Sequence, residues 1–393
     1  MAVVLTSAVA TCGGSDGTAP SGEDEITALR VTPARTLLHE IGGTLELEAR
    51  TLSGAQIPTG SVAWRSSDES VATVAPGGVA TAAGAGTAWI VAEAGSAADS
   101  ATLEVHPPEL DGPFAAGTTY FGRADYIEYQ PGTLPLILSA AHGGALEPSG
   151  IPDRTWGTTV TDANTEQLAR TLADAVEART GQRPHLVICR LKRTKLDPNR
   201  AIEEAAQGNP YAELAWKEFQ GFIDAASETV EDDWAEGLYI DLHGHGHDIQ
   251  RLELGYLLSG SGLGGSDDEL DRPAMAAGSS VRHLAENAPH PFHELIRGGA
   301  SLGTLLEDRG YPSVPSAADP DPGGAPYFTG GYNTVRHGSR DGGTVDGVQI
   351  EMNYQGVRSS ASARSAFSEA LVDALEIYFE TWYGIDWTPA GAR

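Results

Sequence analysis

The sequence predicts two domains of different classes, an all-β sandwich followed by an α/β layered domain with a mostly parallel sheet. The chain has 393 residues, more than one ordinary domain usually contains. Residues 26–106 form short alternating segments that Gly, Pro, Ser and Asp interrupt, as in an antiparallel sandwich. Residues 115–388 instead alternate continuous apolar runs with amphipathic segments, which is typical of parallel strands joined by helices. The Pro-containing segment 107–114 is predicted to be a linker.

The first domain carries a specific motif. Starting at Trp64, the chain reads Trp-x-Ser-Ser-Asp-x-x-Val-Ala-Thr-Val, followed by Gly-Val-Ala-Thr and Gly-Thr-Ala. This run resembles the bacterial immunoglobulin-like domain of group 2 (BIG2). The resemblance implies an immunoglobulin-like sandwich that acts as a spacer or adhesive module on an exported protein and contacts a cell surface. Trp64 is then expected to belong to the core.

The charge of the chain excludes some partners. The formal net charge is -29, with 54 acidic and 25 basic residues, which argues against binding nucleic acid or an anionic membrane through a broad basic patch. No run of 18 apolar residues exists, so no transmembrane helix is expected.

The N-terminus suggests export. MAVVLTSAVATCGGSDG looks like a lipoprotein signal with Cys12 as the lipidated residue, although no Lys or Arg precedes the apolar run. The alternative is a disordered, slightly apolar terminus. We expect residues 1–25 to be a targeting segment and tether, and the protein to be lipid-anchored in the cell envelope or secreted.

Polar side chains follow four predicted strands of the second domain, in LPLILSAAHGG, RPHLVICRL, GLYIDLHGHGH and GVQIEMNY. Because ligands of open α/β sheets bind beyond the carboxyl ends of the strands, we expect these side chains to meet. In strand order they include His142 and Glu147; Asn199 and Arg200; His243 and His245; and Glu351.

These residue types suit a hydrolytic zinc site with one zinc per chain. Such a site uses three protein ligands and one water, and His142, a nearby acid and His243 could supply the ligands. Zinc would polarise a carbonyl and lower the pKa of its water. Glu351 would accept the proton of that water and return it to the leaving nitrogen. Arg200 would bind a substrate carboxylate or steady an oxyanion.

The motifs at the strand ends also resemble those of a known protein family. ILSAAHGG, RLKRTKLDPNR, LYIDLHGHGH and VQIEMN, in this order, resemble the N-formylglutamate amidohydrolase-like family, which is related to the zinc carboxypeptidases. The resemblance covers most of residues 130–380 and implies a metal-dependent hydrolase that cleaves an amide beside a carboxylate. It places the metal histidines at His142 and His243, and the general base at Glu351. It matches Asn199 and Arg200 to the pair that binds the substrate carboxylate.

The third metal ligand stays open at this point. Carboxypeptidase relatives place a glutamate three residues after the first histidine, whereas Glu147 comes five residues after His142. Glu147 is the first candidate, with Asp153 and Asp162 as alternatives. The HGHGH run also contains more histidines than the metal site of the relatives uses. We therefore expect His245 to support the ligands or face the substrate, and His247 to point to solvent.

Two further segments have alternative interpretations. The basic cluster Lys192, Arg193 and Lys195 would either bind an acidic substrate or lie on the surface. The segment GGYNTVRHGS, residues 330–339, is predicted to be a mobile loop that closes over the site, or else an ordinary Gly-rich loop.

The sequence leaves two rivals to a small-amide hydrolase. One is a peptidase acting on cell-wall or polyglutamate peptides, and the other is a surface adhesion protein whose second domain has lost catalysis. Stoichiometric zinc in the second domain would favour an enzyme over an adhesion protein.

Overall fold

A computed structural model describes residues 26–387. The chain divides into two compact units, Met1–Val105 and His106–Arg393. The predicted targeting segment with Cys12 lies outside the described residues. Within residues 26–387, no helix has the length and apolar character needed to cross a membrane.

The first unit is built of strands. A four-stranded sheet has the order β2-β9-β8-β5, a three-stranded sheet the order β3-β7-β6, and β1 pairs with β4. The strands are β1 Leu29–Thr32, β2 Arg35–Leu38, β3 Thr44–Glu46, β4 Glu48–Thr51, β5 Ala63–Ser66, β6 Ala72–Val74, β7 Val79–Ala82, β8 Gly86–Ala94 and β9 Ala97–Val105.

Alternation along these strands builds one shared core. In β8, Ala88, Ile90 and Ala92 are fully buried, while Trp89 between them is 56% exposed, because successive side chains of a strand point to opposite faces. Residues from all the sheets join the same apolar cluster, and Trp64 is partly buried against it. The described part of the unit is therefore β-rich, and its immunoglobulin-like identity stays a prediction.

The second unit contains an eight-stranded mixed sheet in the order β10-β11-β13-β12-β14-β17-β15-β16. The four central strands, β13, β12, β14 and β17, run parallel to one another. By contrast, β10 pairs antiparallel with β11, β11 with β13, and β15 with β17. The strands are β10 Tyr120–Phe121, β11 Ile127–Gln130, β12 Leu136–Ala140, β13 His185–Cys189, β14 Gly237–Gly244, β15 Leu252–Gly255, β16 Ser313–Val314 and β17 Val345–Met352.

Helices cover both faces of this sheet. The long helices are α1 Thr165–Thr180, α3 Pro210–Trp234 and α11 Ala361–Trp382, and the short ones are α2 Ile202–Ala206, α4 Gly260–Leu263, α5 Asp267–Leu270, α6 Pro273–Gly278, α7 Arg282–Asn287, α8 Phe292–Arg297, α9 Leu302–Glu307 and α10 Tyr332–His337. One apolar cluster joins α1 and α11 to one sheet face, and a second joins α3 to the other.

Local signals explain where the long helices begin and end. Asn209 caps α3, because its side chain accepts hydrogen bonds from the backbone N–H groups of Tyr211 and Ala212. Gly181 ends α1 in the left-handed conformation, with φ 73°, which glycine adopts without a steric penalty. These helices lie where the amphipathic pattern predicts them.

Two expectations need correction. The predicted mobile loop 330–339 contains helix α10, whose Asn333, Thr334 and His337 are buried. The sheet is also larger and less parallel than the sequence indicates, since β10, β11, β15 and β16 extend its edges. Short edge strands leave little periodicity to recognise, and long-range pairing forms them.

Candidate metal centre

Three neighbouring parallel strands bring the predicted side chains together. Asp241 and His243 lie at the carboxyl end of β14, and His243 is the register partner of Glu351 on β17. His142 follows the end of β12 by two residues. On β14, Leu238, Ile240 and Leu242 pack under α1 and α11, so the alternate residues Asp241 and His243 face the α3 side.

Three ligand-type atoms converge at this edge. The Nδ1 atoms of His142 and His243 lie 3.0 Å apart. Oδ2 of Asp162 lies 3.3 Å from each of them. A tetrahedral ion with bonds of about 2.0–2.1 Å separates its ligand atoms by roughly 3.3 Å. The triangle therefore has the size that three zinc ligands require.

The far nitrogen of each imidazole is held by a buried carboxylate. His142 Nε2–H donates to Asp197 Oδ1 at 2.6 Å, and His243 Nε2–H donates to Asp241 Oδ2 at 2.7 Å. Because a carboxylate only accepts, each Nε2 carries a proton, which leaves Nδ1 as the ring atom that can offer a lone pair to the triangle. Carboxylates of this kind fix the tautomer and orientation of metal-binding histidines.

These carboxylates are themselves held in place. Asp197 accepts hydrogen bonds from Arg193 Nε at 2.9 Å and from the backbone N–H of Asn199 at 3.1 Å. Asp241 accepts from Ser139 Oγ at 2.6 Å. Asp162 accepts from the backbone N–H of Gly244 at 3.1 Å. The protein itself thus holds the three candidate ligand atoms in place.

The electrostatics favour a cation at this position. Burial opposes the charged form of His243, but Asp241, Asp162 and Glu351 outweigh it and raise its pKa well above the usual value. Burial likewise opposes the charged carboxylate of Asp162, yet His142 and His243 hold its pKa well below the usual range. The buried carboxylates therefore favour positive charge next to them.

Glu351 lies beside the triangle with the properties of a general base. It is 6% exposed, and its Oε1 accepts a hydrogen bond from Gln349 Nε2 at 2.9 Å. Burial raises its pKa to about 7, although the nearby His243 lowers it. A carboxyl group with a pKa close to neutrality can both accept and return a proton.

A cavity of about 200 Å³ opens onto these groups. Arg200 lines it with a side chain that is 35% exposed, and its Nε lies 3.4 Å from Glu204. Asn199 also lines the cavity, and its Oδ1 accepts a hydrogen bond from the backbone N–H of Asn333 at 2.8 Å. The remaining lining residues are His142, Thr158, Asp162, Arg193, His243, Gly244, Phe328, Gly330, Gly331, Gln349 and Glu351.

The structure corrects the first candidate for the carboxylate ligand. Glu147 is 52% exposed and pairs with Lys192 at 2.7 Å. Leu146 bridges to Leu191 beyond β13, and this pairing carries the chain after Gly144 away from the histidines. Asp153 pairs with Lys195 at 2.8 Å and is 66% exposed. Of the three acids considered, Asp162 is the one that completes the triangle.

The other two histidines of HGHGH form a separate group. His245 is buried and donates from Nε2 to the Arg251 carbonyl at 2.7 Å. It does not line the cavity described above, so the expected contact with a substrate is not found there. His247 does not simply point to solvent, because its Nδ1 lies 2.8 Å from Glu253 and its ring stacks on Phe328.

Several residues that build this site have no role in the prediction from the sequence. Asp241 and Gln349 each precede a predicted site residue by two positions in a strand, and this spacing puts both members of a pair on one face. That signal could have found them. Asp197, Asn333 and Arg358 reach the site from other segments. Asp197 lies within the motif RLKRTKLDPNR and Asn333 within the segment GGYNTVRHGS, but local spacing does not predict which groups they contact.

The second unit is thus a layered α/β fold with a candidate metal centre of two histidines and one aspartate. No protein-family model matches the chain, and no curated protein matches it.

Several solved structures are similar to this chain. N-formylglutamate amidohydrolase from Ralstonia eutropha JMP134 is 14% identical with a TM-score of 0.37, over 66% of this chain and 99% of that one. The N-acetylmuramyl-L-alanine amidase Ami1 from Mycobacterium abscessus is 13% identical with a TM-score of 0.27, over 62% and 98%. Domains 4 and 5 of the S-layer protein SbsC are 17% identical with a TM-score of 0.17, over 20% and 50%. Likenesses of this size decide neither the fold nor an activity.

Proposed function

We propose that the second unit is a metal-dependent hydrolase that cleaves an amide or peptide bond beside a carboxylate. The observation that carries this proposal is the triangle of His142, Asp162 and His243, with a buried carboxylate behind each imidazole. The resemblance of its strand-end motifs to N-formylglutamate amidohydrolase-like proteins supports the same class.

The donor set fits a hydrolytic zinc ion. Two imidazole nitrogens and one carboxylate oxygen are typical of catalytic zinc sites, which keep a further position for water or substrate. When bound, such an ion supplies Lewis-acid chemistry: it polarises a carbonyl and lowers the pKa of water. Asp197 and Asp241 keep both imidazoles in the tautomer that binds a cation.

Glu351 is the group that moves the proton. Gln349 occupies Oε1, so we assign the transfer to Oε2. This oxygen takes the proton of the attacking water and then delivers it to the leaving nitrogen. The raised pKa of about 7 suits both halves of the cycle, because neither protonation state is strongly disfavoured near neutrality.

Arg200 and Asn199 are proposed to orient the substrate. Arg200 lines the cavity with a partly exposed side chain, which can bind a carboxylate. A cavity of about 200 Å³ is small compared with drug-sized ligand pockets of roughly 300–1,000 Å³. It suits one amino-acid-sized group next to the scissile bond.

The basic cluster does not favour an acidic polymer as substrate. Lys192 pairs with Glu147 and Lys195 with Asp153, and Arg193 is engaged with Asp197. A peptidase on polyglutamate or cell-wall peptides therefore gains no support from these residues.

Export is proposed on the N-terminal motif alone. Cys12 would carry the lipid, and the first unit would act as a spacer that contacts the cell surface. Membrane fractionation of the full chain beside Cys12→Ala tests this, since an anchored protein should become soluble in the variant.

Metal content tests the proposed centre. We expect Asp162→Asn and His142→Ala to lose one equivalent of zinc relative to the wild-type chain, because each removes a corner of the triangle. Glu147→Gln is the matched control and should lose none. Elemental analysis after reconstitution measures this, and equal zinc in all four proteins would refute the centre.

Substrate screening tests the activity. Amides and dipeptides with a free carboxylate should be cleaved by the zinc-loaded wild type and not by Asp162→Asn. An adhesion protein would bind no zinc at this site and cleave none of them.

A further inference from the structure

A second group of metal-ligating side chains lies near the proposed centre. His245, His247 and Glu253 each offer one ligand atom, and these atoms all lie within 4.8 Å of one another. We infer that this group holds a second divalent cation, distinct from the one at His142, Asp162 and His243. The inference does not rest on the hydrolase activity.

The sheet places this group one strand beyond Glu351. Glu253 on β15 is the register partner of Glu351 on β17, and Glu351 is the register partner of His243 on β14. Side chains at partner positions share one face of a sheet. The carboxyl group of Glu351 is thus flanked by the proposed centre on one side and by Glu253 on the other.

Glu253 brings a buried carboxyl group. Its side chain is fully buried, and its Oε1 lies 2.8 Å from His247 Nδ1 while Oε2 accepts from the backbone N–H of Phe328 at 2.8 Å. Within residues 26–387, neither contact comes from lysine or arginine, and the adjacent Arg251 pairs with Asp319. A buried carboxylate beside another carboxylate needs a compensating positive charge.

The contacts of the two histidines fix which ring nitrogen carries a proton. His247 Nδ1–H donates to Glu253, because a carboxylate only accepts, so the lone pair of this ring lies on Nε2. His245 Nε2 must carry its proton, because it contacts the carbonyl oxygen of Arg251 at 2.7 Å. Its Nδ1 therefore carries the lone pair, in the pattern by which backbone carbonyls orient metal-binding histidines. The ring of His247 is held by stacking on Phe328, with centroids 4.8 Å apart and an interplanar angle of 6°.

One local contact must give way when the cation binds. His245 Nδ1 accepts a hydrogen bond from the backbone N–H of His247 at 3.1 Å. The intervening Gly246 lies outside regular secondary structure, and a Cβ there would meet nothing within 4 Å. The peptide between the histidines therefore has room to rotate and release the lone pair.

The donor set selects the class of cation. Two imidazoles and one carboxylate suit zinc or a similar divalent transition ion, whereas calcium and magnesium prefer all-oxygen sites. Zinc is therefore the probe for the test.

Zinc stoichiometry of the full chain, measured by titration against a competing chelator in excess magnesium, tests the inference. The wild type should bind two equivalents, and His247→Asn should bind one. Asparagine keeps a donor near the position of Nδ1 and so preserves the contact with buried Glu253, and circular dichroism checks that the variant is folded. Asp248→Asn, a change at an exposed acid in the same loop, is the matched control and should bind two.

His243→Ala separates this site from the proposed catalytic one. It should keep one equivalent, and the double variant with His247→Asn should keep none. One equivalent in the wild type that disappears in His243→Ala would overturn the second site and leave the proposed function intact. Two equivalents in folded His247→Asn would overturn it as well. No zinc in the wild type would refute both sites.

Discussion

Histidines with the same burial behave differently in this protein because of their neighbours. His185 and His243 are each 1% exposed. Burial lowers the pKa of His185 to about 4, and its Nδ1 contacts the hydroxyl of Tyr129 at 3.0 Å. For His243 the carboxylates outweigh burial, and the pKa rises. Burial alone therefore does not distinguish these two histidines, whereas the carboxylates around His243 do.

Glu351→Gln tests the proposed base at the scale of one residue. We expect turnover to fall by roughly 10²–10⁴-fold, because an amide cannot accept the proton, while zinc content stays unchanged. Wild-type activity should rise with pH as the carboxyl group loses its proton. The midpoint should lie no higher than about 7, the pKa of the cation-free site, since a nearby cation favours the carboxylate. Unchanged turnover in zinc-loaded Glu351→Gln would remove Glu351 from the mechanism.

At the scale of elements, Arg358 joins three segments that carry the site. Its Nε and Nη2 donate to the carbonyl of Met352 at the end of β17, at 3.2 and 3.1 Å. Its Nη1 donates to the carbonyl of Ala163, next to the proposed ligand Asp162. The guanidinium also lies against Gly244 at the end of β14, where a Cβ would come within 2.2 Å of the Arg358 Cζ. Gly244 is therefore glycine because the arginine occupies the space.

Gly244→Ala should displace Arg358 and loosen the centre. We expect a loss of about 1–3 kcal/mol in the free energy of unfolding, as for other overpacked sites, together with weaker zinc binding. Gly246→Ala is the matched control, because its Cβ would meet nothing within 4 Å, and it should change the stability by less than about 0.5 kcal/mol. Denaturant unfolding compares the stability of the two variants, and zinc titration measures the binding by Gly244→Ala. Equal stability in the two variants would contradict the packing argument.

Helix α3 holds the segment before β11 through a buried acid. Oε1 of Glu218 accepts a hydrogen bond from the backbone N–H of Arg123 at 2.8 Å, while Oε2 is buried without a hydrogen-bond partner among the described residues. Burial raises the pKa of Glu218 to about 7, against a usual 4.5. Because the folded state disfavours the charged form of Glu218, ionisation of this group lowers the free energy of unfolding. The loss is absent below about pH 4.5 and grows as the pH rises to about 7.

Glu218→Gln should therefore stabilise the protein only at higher pH. Glutamine keeps an acceptor for the Arg123 N–H and carries no charge. We expect similar free energies of unfolding at pH 4.5, and a variant more stable by up to roughly 3 kcal/mol at pH 8. Urea unfolding at the two pH values measures the difference. A variant less stable than the wild type at pH 8 would be inconsistent with a raised pKa.

At the scale of the whole molecule, each unit has its own core. The apolar clusters on both faces of the mixed sheet consist of residues after His106, and the cluster of the first unit consists of residues before it. A unit with a separate core can fold by itself. The candidate metal centre lies wholly in the second unit.

Residues 106–393 expressed alone should therefore fold and bind zinc as the full chain does. We expect the same number of zinc equivalents and an unchanged zinc-dependent thermal transition, because the first unit supplies none of the described ligands. Calorimetry and elemental analysis of the fragment and the full chain make the comparison. A fragment that folds but binds less zinc would show that the centre depends on the first unit.

Much of the second unit follows from local patterns in the sequence. The helical period predicts α1, α3 and α11, and continuous apolar runs predict the buried strands β12, β13, β14 and β17. Because the carboxyl ends of parallel strands meet at one edge of the sheet, the sequence also predicts that His142, His243 and Glu351 lie near one another. These features are local, because backbone geometry alone sets the period of a helix and the alternation of a strand.

The tertiary structure decided what depends on distant segments. The choice of Asp162 over Glu147 follows from the pairing of Leu146 with Leu191 beyond the sheet, which no spacing from His142 reveals. Asp197 supports His142 from a segment 55 residues away, and Glu253 lies beside Glu351 because β15 pairs with β17. Periodicity fixes which face of an element a side chain occupies. The path of the connecting chain, which long-range packing determines, fixes which side chains share a site.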